Sequence, residues 1–329
     1  MTDKRIQLGL SWMPQSANVS IELARAAERL GFVQFGVGDG PFLHQESYVT
    51  TAACLLNTER IPGGPFVTNN VIRNWSIHAS AARTFADLSP GRFRLGLAVG
   101  DGAVRSVGLR SMRWADLAQT SKQLREAAPD DLMIHVTVSG PKAAEVAGTF
   151  ADVVVIMLGD APIAINELID RARTAREKAG VSTPLEVWTM VPIVVIPPDD
   201  DPQVARMSKR AHSYSVAHFA FAQTYEAKDV PVKWQSEIDE RLARYDYQFH
   251  AVFTDDNPNH LLFADRPEIQ EYLIDRMFWI GPPEAIRDRF TQLFGATDLD
   301  GMWCHAQSVE EAEQLATTLG PAVGATKSG

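Results

Sequence analysis

The chain has 329 residues, 45% of them hydrophobic and 22% charged, and a formal net charge of −10. That composition excludes disordered and fibrous classes, and the acidic balance argues against wholesale binding of nucleic acid or of an anionic membrane while allowing a local anion site. Cys54 and Cys304 form no CxxC pair or disulfide framework. No window holds the roughly 18 apolar residues of a spanning helix. With no signal-peptide pattern at Met1, the reading is a cytoplasmic protein.

Strand-like and helix-like runs alternate from the start. IQLGLSW (6–12) reads as a strand, and 18–31 as a helix capped by Asn18 or Ser20 and ended by Gly31. The unit repeats as strand 32–39 with helix 46–57, strand 63–69 with helix 74–87, and strand 93–99 with helix 110–127. Strand 131–138 turns directly into helix 140–148, and strand 151–158 leads to helix 162–180. A long apolar run, 185–196, reads as the seventh strand, and 300–307 with helix 308–319 as the eighth unit. Eight strand-helix units predict an α/β fold, a (β/α)8 TIM barrel in a single domain over 1–329. The competing doubly wound sheet lacks a GxGxxG fingerprint after its first strand. Residues from about 200 to 280 are an insertion in the seventh unit, with helical spacing at 203–225 and 234–247 and an aromatic stretch at 245–260. A substrate lid and a packing or dimerisation subdomain are equally open readings of it.

In such a barrel, chemistry gathers where strands end at their C-terminal side. The candidates there are Ser11, Trp12, Asp39, Thr68, Asn69, Gly100, Asp101, Gly102, the run Ser139-Gly140-Pro141-Lys142, Cys304 and His305. Gly140 leads into a helix with Pro141 in its first turn, where free N–H groups face an anion; the Ser139 hydroxyl and Lys142 ammonium add donors. Ser139 as an ordinary helix cap is the plain alternative. Gly100 and Gly102 let the backbone approach a ligand, with Arg105 near, and the two turns together point to a phosphorylated small molecule. The Asp101 carboxylate repels phosphate, so it is expected to turn toward backbone or Arg105. No GxSxG, HExxH or Walker loop is present, and the eight histidines show no metal-ligand spacing, so no metal site is expected.

These residues lie in runs that resemble the bacterial luciferase-like superfamily of flavin- and deazaflavin-dependent barrel oxidoreductases, and most closely its methylenetetrahydromethanopterin reductase-like branch. The matching runs are 28–42, 58–108, 138–158 and 280–290, and the combination T-N, L-S-x-G-R and the G-D of Gly100-Asp101 in the second is the specific part. The resemblance implies a cofactor across the barrel mouth with its phosphate near 100–102 and 139–142. Trp12, Phe66 and Val67 then wall its ring, and Asp39, Thr68 and Asn69 bond its polar edge. It also implies a non-prolyl cis peptide at Phe66–Val67. His305 is a candidate proton donor near the substrate. Two departures stand out: Asp39 is followed by Gly40 where deazaflavin users often carry Asp-His, and the family's Arg-His-Pro reads Arg73-Asn74-Trp75. The leading reading is a monooxygenase using reduced FMN, supplied by a separate flavin reductase, and oxygen on a small organic substrate. The alternatives are a hydride-transferring reductase with the 5-deazaflavin coenzyme and a non-catalytic flavin-binding barrel. A homo-oligomer is expected.

Overall fold

The computed structural model describes residues 5–41, 43–197, 199–222, 224–249 and 256–323; residues 250–255 of the aromatic stretch lie outside them. The first half runs β1 (Gln7–Trp12), α1 (Ala17–Leu30), β2 (Gln34–Val37), α2 (Ser47–Leu56), β3 (Gly63–Pro65), β4 (Thr68–Asn69), α3 (Trp75–Leu88), β5 (Arg94–Ala98), α4 (Gly102–Arg105) and α5 (Trp114–Ala127). It continues with β6 (Met133–Val138), α6 (Pro141–Gly148), β7 (Val153–Ile156), α7 (Pro162–Lys178) and β8 (Glu186–Met190). Then come β9 (Ile193–Val195), α8 (Pro202–Phe221), α9 (Val232–Leu242), α10 (Pro267–Met277), β10 (Trp279–Gly281), α11 (Pro283–Ala296), β11 (Gly301–His305) and α12 (Val309–Val323). No helix among the described residues is long and apolar enough to cross a membrane.

Nine strands form one parallel sheet in the order β3-β2-β1-β11-β8-β7-β6-β5-β4. Its two ends, β3 and β4, are halves of one strand, and Gly63 bridges to Phe93, so the sheet closes into a TIM barrel with helices outside. Closure leaves no exposed edge. The third strand breaks at Phe66–Val67, whose peptide bond is cis.

The predicted seventh strand, 185–196, is two strands. β8 stays in the barrel, while Pro192 interrupts the ladder because it has no N–H to give, and β9 leaves to pair with β10. That exit starts the insertion. α8 and α9 fall close to the two helical patterns, whereas α10 was not foreseen from the sequence.

Large rings fill the barrel interior. Phe66 stacks on Trp303 at 4.0 Å, and Trp188 lies 5.8 Å from Trp303. Gly36 makes room for them: a Cβ there would sit 2.5 Å from the Phe66 Cβ and 3.1 Å from the Trp303 ring. Gly36→Ala is therefore expected to cost about 1–3 kcal/mol by overpacking and to displace Phe66. Urea unfolding checks this, and wild-type stability would contradict it.

Candidate functional site

The barrel mouth opens into a cleft with two joined halves, of about 290 Å³ and about 280 Å³. The first half is walled by Trp12, Asp39, Phe66, Val67, Thr68 and Asn69, and the second by Trp114, Ser139 and residues of α8. Gly100, Asp101, Phe219 and His305 border both. The inserted helix α8 thus forms one wall of the cleft.

Asp39 is held from outside the cleft. Its carboxylate, 2% exposed, takes two hydrogen bonds from Arg73, Nε to Oδ2 at 3.0 Å and NH2 to Oδ1 at 2.9 Å. Arg73 also pairs with Glu46 at 2.7 Å. Behind them the Tyr48 hydroxyl meets His78 Nδ1 at 2.5 Å, and burial lowers the His78 pKa to about 4. Arg73, 34 residues along the chain, is what makes a buried carboxylate tolerable at this wall.

Next to Asp39 the cleft has groups whose hydrogen bonds are unmet. The Thr68 hydroxyl and the Trp12 indole N–H are buried and bond to nothing among the described residues. Asn69 is partly engaged: its side-chain oxygen accepts from Val71 N at 3.1 Å and Ile72 N at 2.9 Å. His44 is a residue the sequence reading passed over. Its ring covers Gly40, where an added Cβ would meet Cδ2 at 3.0 Å, and it lines the same half as Asp39. Burial lowers its pKa, so the imidazole is neutral at pH 7.

His305 sits between the halves. Burial lowers its pKa to about 4. Its Nε2 donates to the Gln307 side-chain oxygen at 2.9 Å, and Nδ1 lies 3.4 Å from Ser11 Oγ. The ring is a neutral wall with both nitrogens engaged, so its geometry favours orientation over proton donation.

Just beyond Ser139, Gly140 is the N-cap of α6, with no side chain to satisfy the first N–H groups. Ser139 does not cap the helix; its hydroxyl donates to the Phe219 carbonyl at 3.1 Å and so ties α8 to the barrel. Pro141 is buried in the first turn. Lys142 is a correction to the sequence expectation: its side chain is 78% exposed, pairs with Glu145 at 3.6 Å and lines an outer groove. Helical rotation carries it away from the mouth.

A different lysine stands by Gly140. Lys228, from the insertion, is 1% exposed, and its amine lies 3.9 Å from where a Gly140 Cβ would be. It donates to the Ala222 carbonyl at 3.0 Å, and burial lowers its pKa to about 8. An ammonium beside a helix N-terminus places two positive ends together, the electrostatic outline of an anion site. Its distance of 86 positions from Lys142 hid it from motif reading. Asp101 pairs with Arg105 and accepts from Ser111 Oγ at 3.3 Å, while Gly100 turns the loop at φ 79°. No Lys or Arg side chain lines either half of the cleft among the described residues.

Solved structures share this architecture. The coenzyme F420 dependent tetrahydromethanopterin reductase from Methanopyrus kandleri superposes with a TM-score of 0.72 at 15% identity, covering 96% of this chain and 99% of that one. The EDTA monooxygenase from Chelativorans sp. BNC1 gives 0.68 at 13% identity, covering 98% and 94%. In sequence, a 5,10-methylenetetrahydromethanopterin reductase from Methanolobus tindarius is 25% identical over 197 residues, 51% of this chain and 60% of that protein. The pattern that defines the Luciferase-like monooxygenase family matches residues 4–129 and 120–298. With a closed barrel and a match over most of its length, the chain belongs to the luciferase-like monooxygenase family.

Proposed function

We propose that the chain is an oxidoreductase whose cleft holds a flavin-type cofactor, with Trp12, Phe66, Val67, Thr68 and Asn69 around its ring and Gly140 and Lys228 at its phosphate. The observation that carries this reading is the set of buried polar groups without partners in the wall of one apolar cleft, with the open N-terminus of α6 following Ser139 of the same wall. Thr68 and Trp12 lack partners in the first half, and Gly140, with the Lys228 ammonium beside it, directly follows Ser139 of the second half. Polar groups are buried without partners only at a cost, which a ligand offering acceptors removes.

Of the two cofactor chemistries, we favour hydride transfer with the 5-deazaflavin coenzyme on a small organic substrate. The sequence objection was Gly40 after Asp39; in support of the deazaflavin reading, the His44 imidazole lies against Gly40 and lines the same half of the cleft as Asp39. The curated relative is also a reductase. The bound cofactor supplies the two-electron step; the chain binds, orients and excludes water. α8 closes the mouth with Val216 and Phe219, and neutral His44 is placed to accept a proton on the Asp39 side.

Reduced FMN with oxygen is the second reading. It is favoured by Arg73-Asn74-Trp75, because Asn74 is spent capping α3 through Ser76 N at 3.0 Å and Trp75 packs on the core, so neither faces the cleft. That reading requires a separate flavin reductase; the first does not. Titrating the protein with each cofactor while following its fluorescence decides between them. We expect tight binding of the deazaflavin and weak binding of FMN. The reverse order selects the monooxygenase reading, and binding of neither overturns both.

A further inference from the structure

Arg276, in the last turn of α10, is 6% exposed, and its guanidinium is committed to main-chain carbonyls. Nε donates to Leu158 O at 2.8 Å, NH2 to Lys228 O at 2.7 Å and NH1 to Asp229 O at 3.2 Å. Leu158 lies just past β7 of the barrel, whereas Lys228 and Asp229 belong to the insertion, so one side chain joins the two. The backbone of Arg276 is fixed to the same barrel loop. Its carbonyl accepts from Asp160 N at 2.7 Å, and it comes so close to Gly159, at φ 67°, that a Cβ there would stand 2.0 Å from the Arg276 oxygen. The turn that Arg276 clasps is a strained one. Ala227 and Asp229, at φ 57° and 50°, are the non-glycine residues with left-handed backbone among the described residues, a conformation that persists where surrounding contacts enforce it.

We propose, resting on the phosphate reading of the Gly140 corner, that Arg276 is its positioning residue: by fixing the 227–229 turn to the barrel, it aims the Lys228 amine at the N-terminus of α6. A lysine carries its charge on a flexible four-carbon stem, and keeping that amine at one place with the residue 1% exposed requires an anchored backbone beneath it. Arginine suits the task because its planar fork of N–H donors reaches carbonyls of separate segments at once, which an ammonium does from a single point. The anchor follows β7 and the target helix follows β6, its neighbour in the sheet, so Lys228 and Gly140 are referred to one rigid frame.

Trace labelling with acetic anhydride, read residue by residue by mass spectrometry, reports the seat of Lys228 without any cofactor. Lys142, its side chain 78% exposed, is the internal reference. In the wild type Lys228 is expected to react slowly and to reach half its limiting rate near pH 8, where burial sets it against the opposing field of Asp239 on α9. In Arg276→Met its labelling is expected to rise roughly tenfold or more relative to Lys142, with the midpoint moving toward the ordinary value of about 10.4. Should that variant fold poorly by circular dichroism, Arg276→Lys, which keeps the charge and loses the fork, is read in the same way. Fluorescence titration with FMN and with the deazaflavin coenzyme gives the second readout. Arg276→Met is expected to weaken the bound cofactor roughly tenfold or more, and to weaken it no further in a Lys228→Met background, because the arginine acts through the lysine. Lys228 labelling that keeps the wild-type rate and midpoint overturns the proposal. So does a full additional loss of affinity when Lys228 is already replaced, the mark of a merely structural residue. Faster labelling with unchanged cofactor affinity upholds the hold of Arg276 on Lys228 and moves the phosphate elsewhere.

Discussion

Gly140→Asp is expected to give a protein that melts at a higher temperature and scarcely binds its cofactor. Position 140 has φ −158° and ψ 166°, extended backbone that any residue adopts, and the space around its missing Cβ is open except for Lys228. An aspartate there caps α6 and places a carboxylate against the buried ammonium. Capping adds a few tenths of a kcal/mol over glycine, and the charge-assisted bond brings the gain to about 1 kcal/mol or more. The same carboxylate occupies the position assigned to the phosphate. Deprived of its bonds to the ammonium and the helix N-terminus, the cofactor is expected to bind roughly 100-fold or more weakly. Calorimetry reads the first effect and fluorescence titration the second. A variant with wild-type affinity would remove the phosphate from this corner.

The pH dependence of that corner follows from the same residue. Lys228 is charged below about 8, so cofactor binding is expected to be full below that pH and to weaken above it. Folding responds in the opposite sense. Because the folded-state pKa lies below that of the unfolded chain, the stability linked to this lysine is present above the unfolded value of about 10.4 and is lost as the pH falls through about 8. Lys228→Met is expected to flatten both profiles.

Arg73→Met is expected to cost about 3–5 kcal/mol of stability at neutral pH. It leaves the Asp39 carboxylate, 2% exposed, with neither of its guanidinium bonds. The double variant Arg73→Met with Asp39→Asn removes the stranded charge and is expected to recover most of that loss, because breaking one side of a buried pair is worse than removing both. Urea unfolding of the two variants makes the comparison. A single variant as stable as the wild type would show that Asp39 does not rely on Arg73.

Strand order, the eight-unit count and the place of the cis peptide were legible because each leaves a local mark. Alternating apolar runs, helix-ending glycines and a short family pattern around Phe66–Val67 all lie within a few residues of what they specify. The seventh strand was misread as one element because an apolar run does not reveal that Pro192 sends β9 out of the barrel.

The cleft divides in the same way. By itself the sequence determined the barrel and the set of loop ends where chemistry gathers, since hydrophobic periodicity and turn chemistry are local properties of the chain. Only the tertiary structure decided which charges meet there. Arg73 reaches Asp39 across 34 positions, and Lys228 stands at Gly140 across 88, while the nearer Lys142 is turned outward by the pitch of its own helix. Pairing of buried charges depends on distance through space, and packing sets that distance.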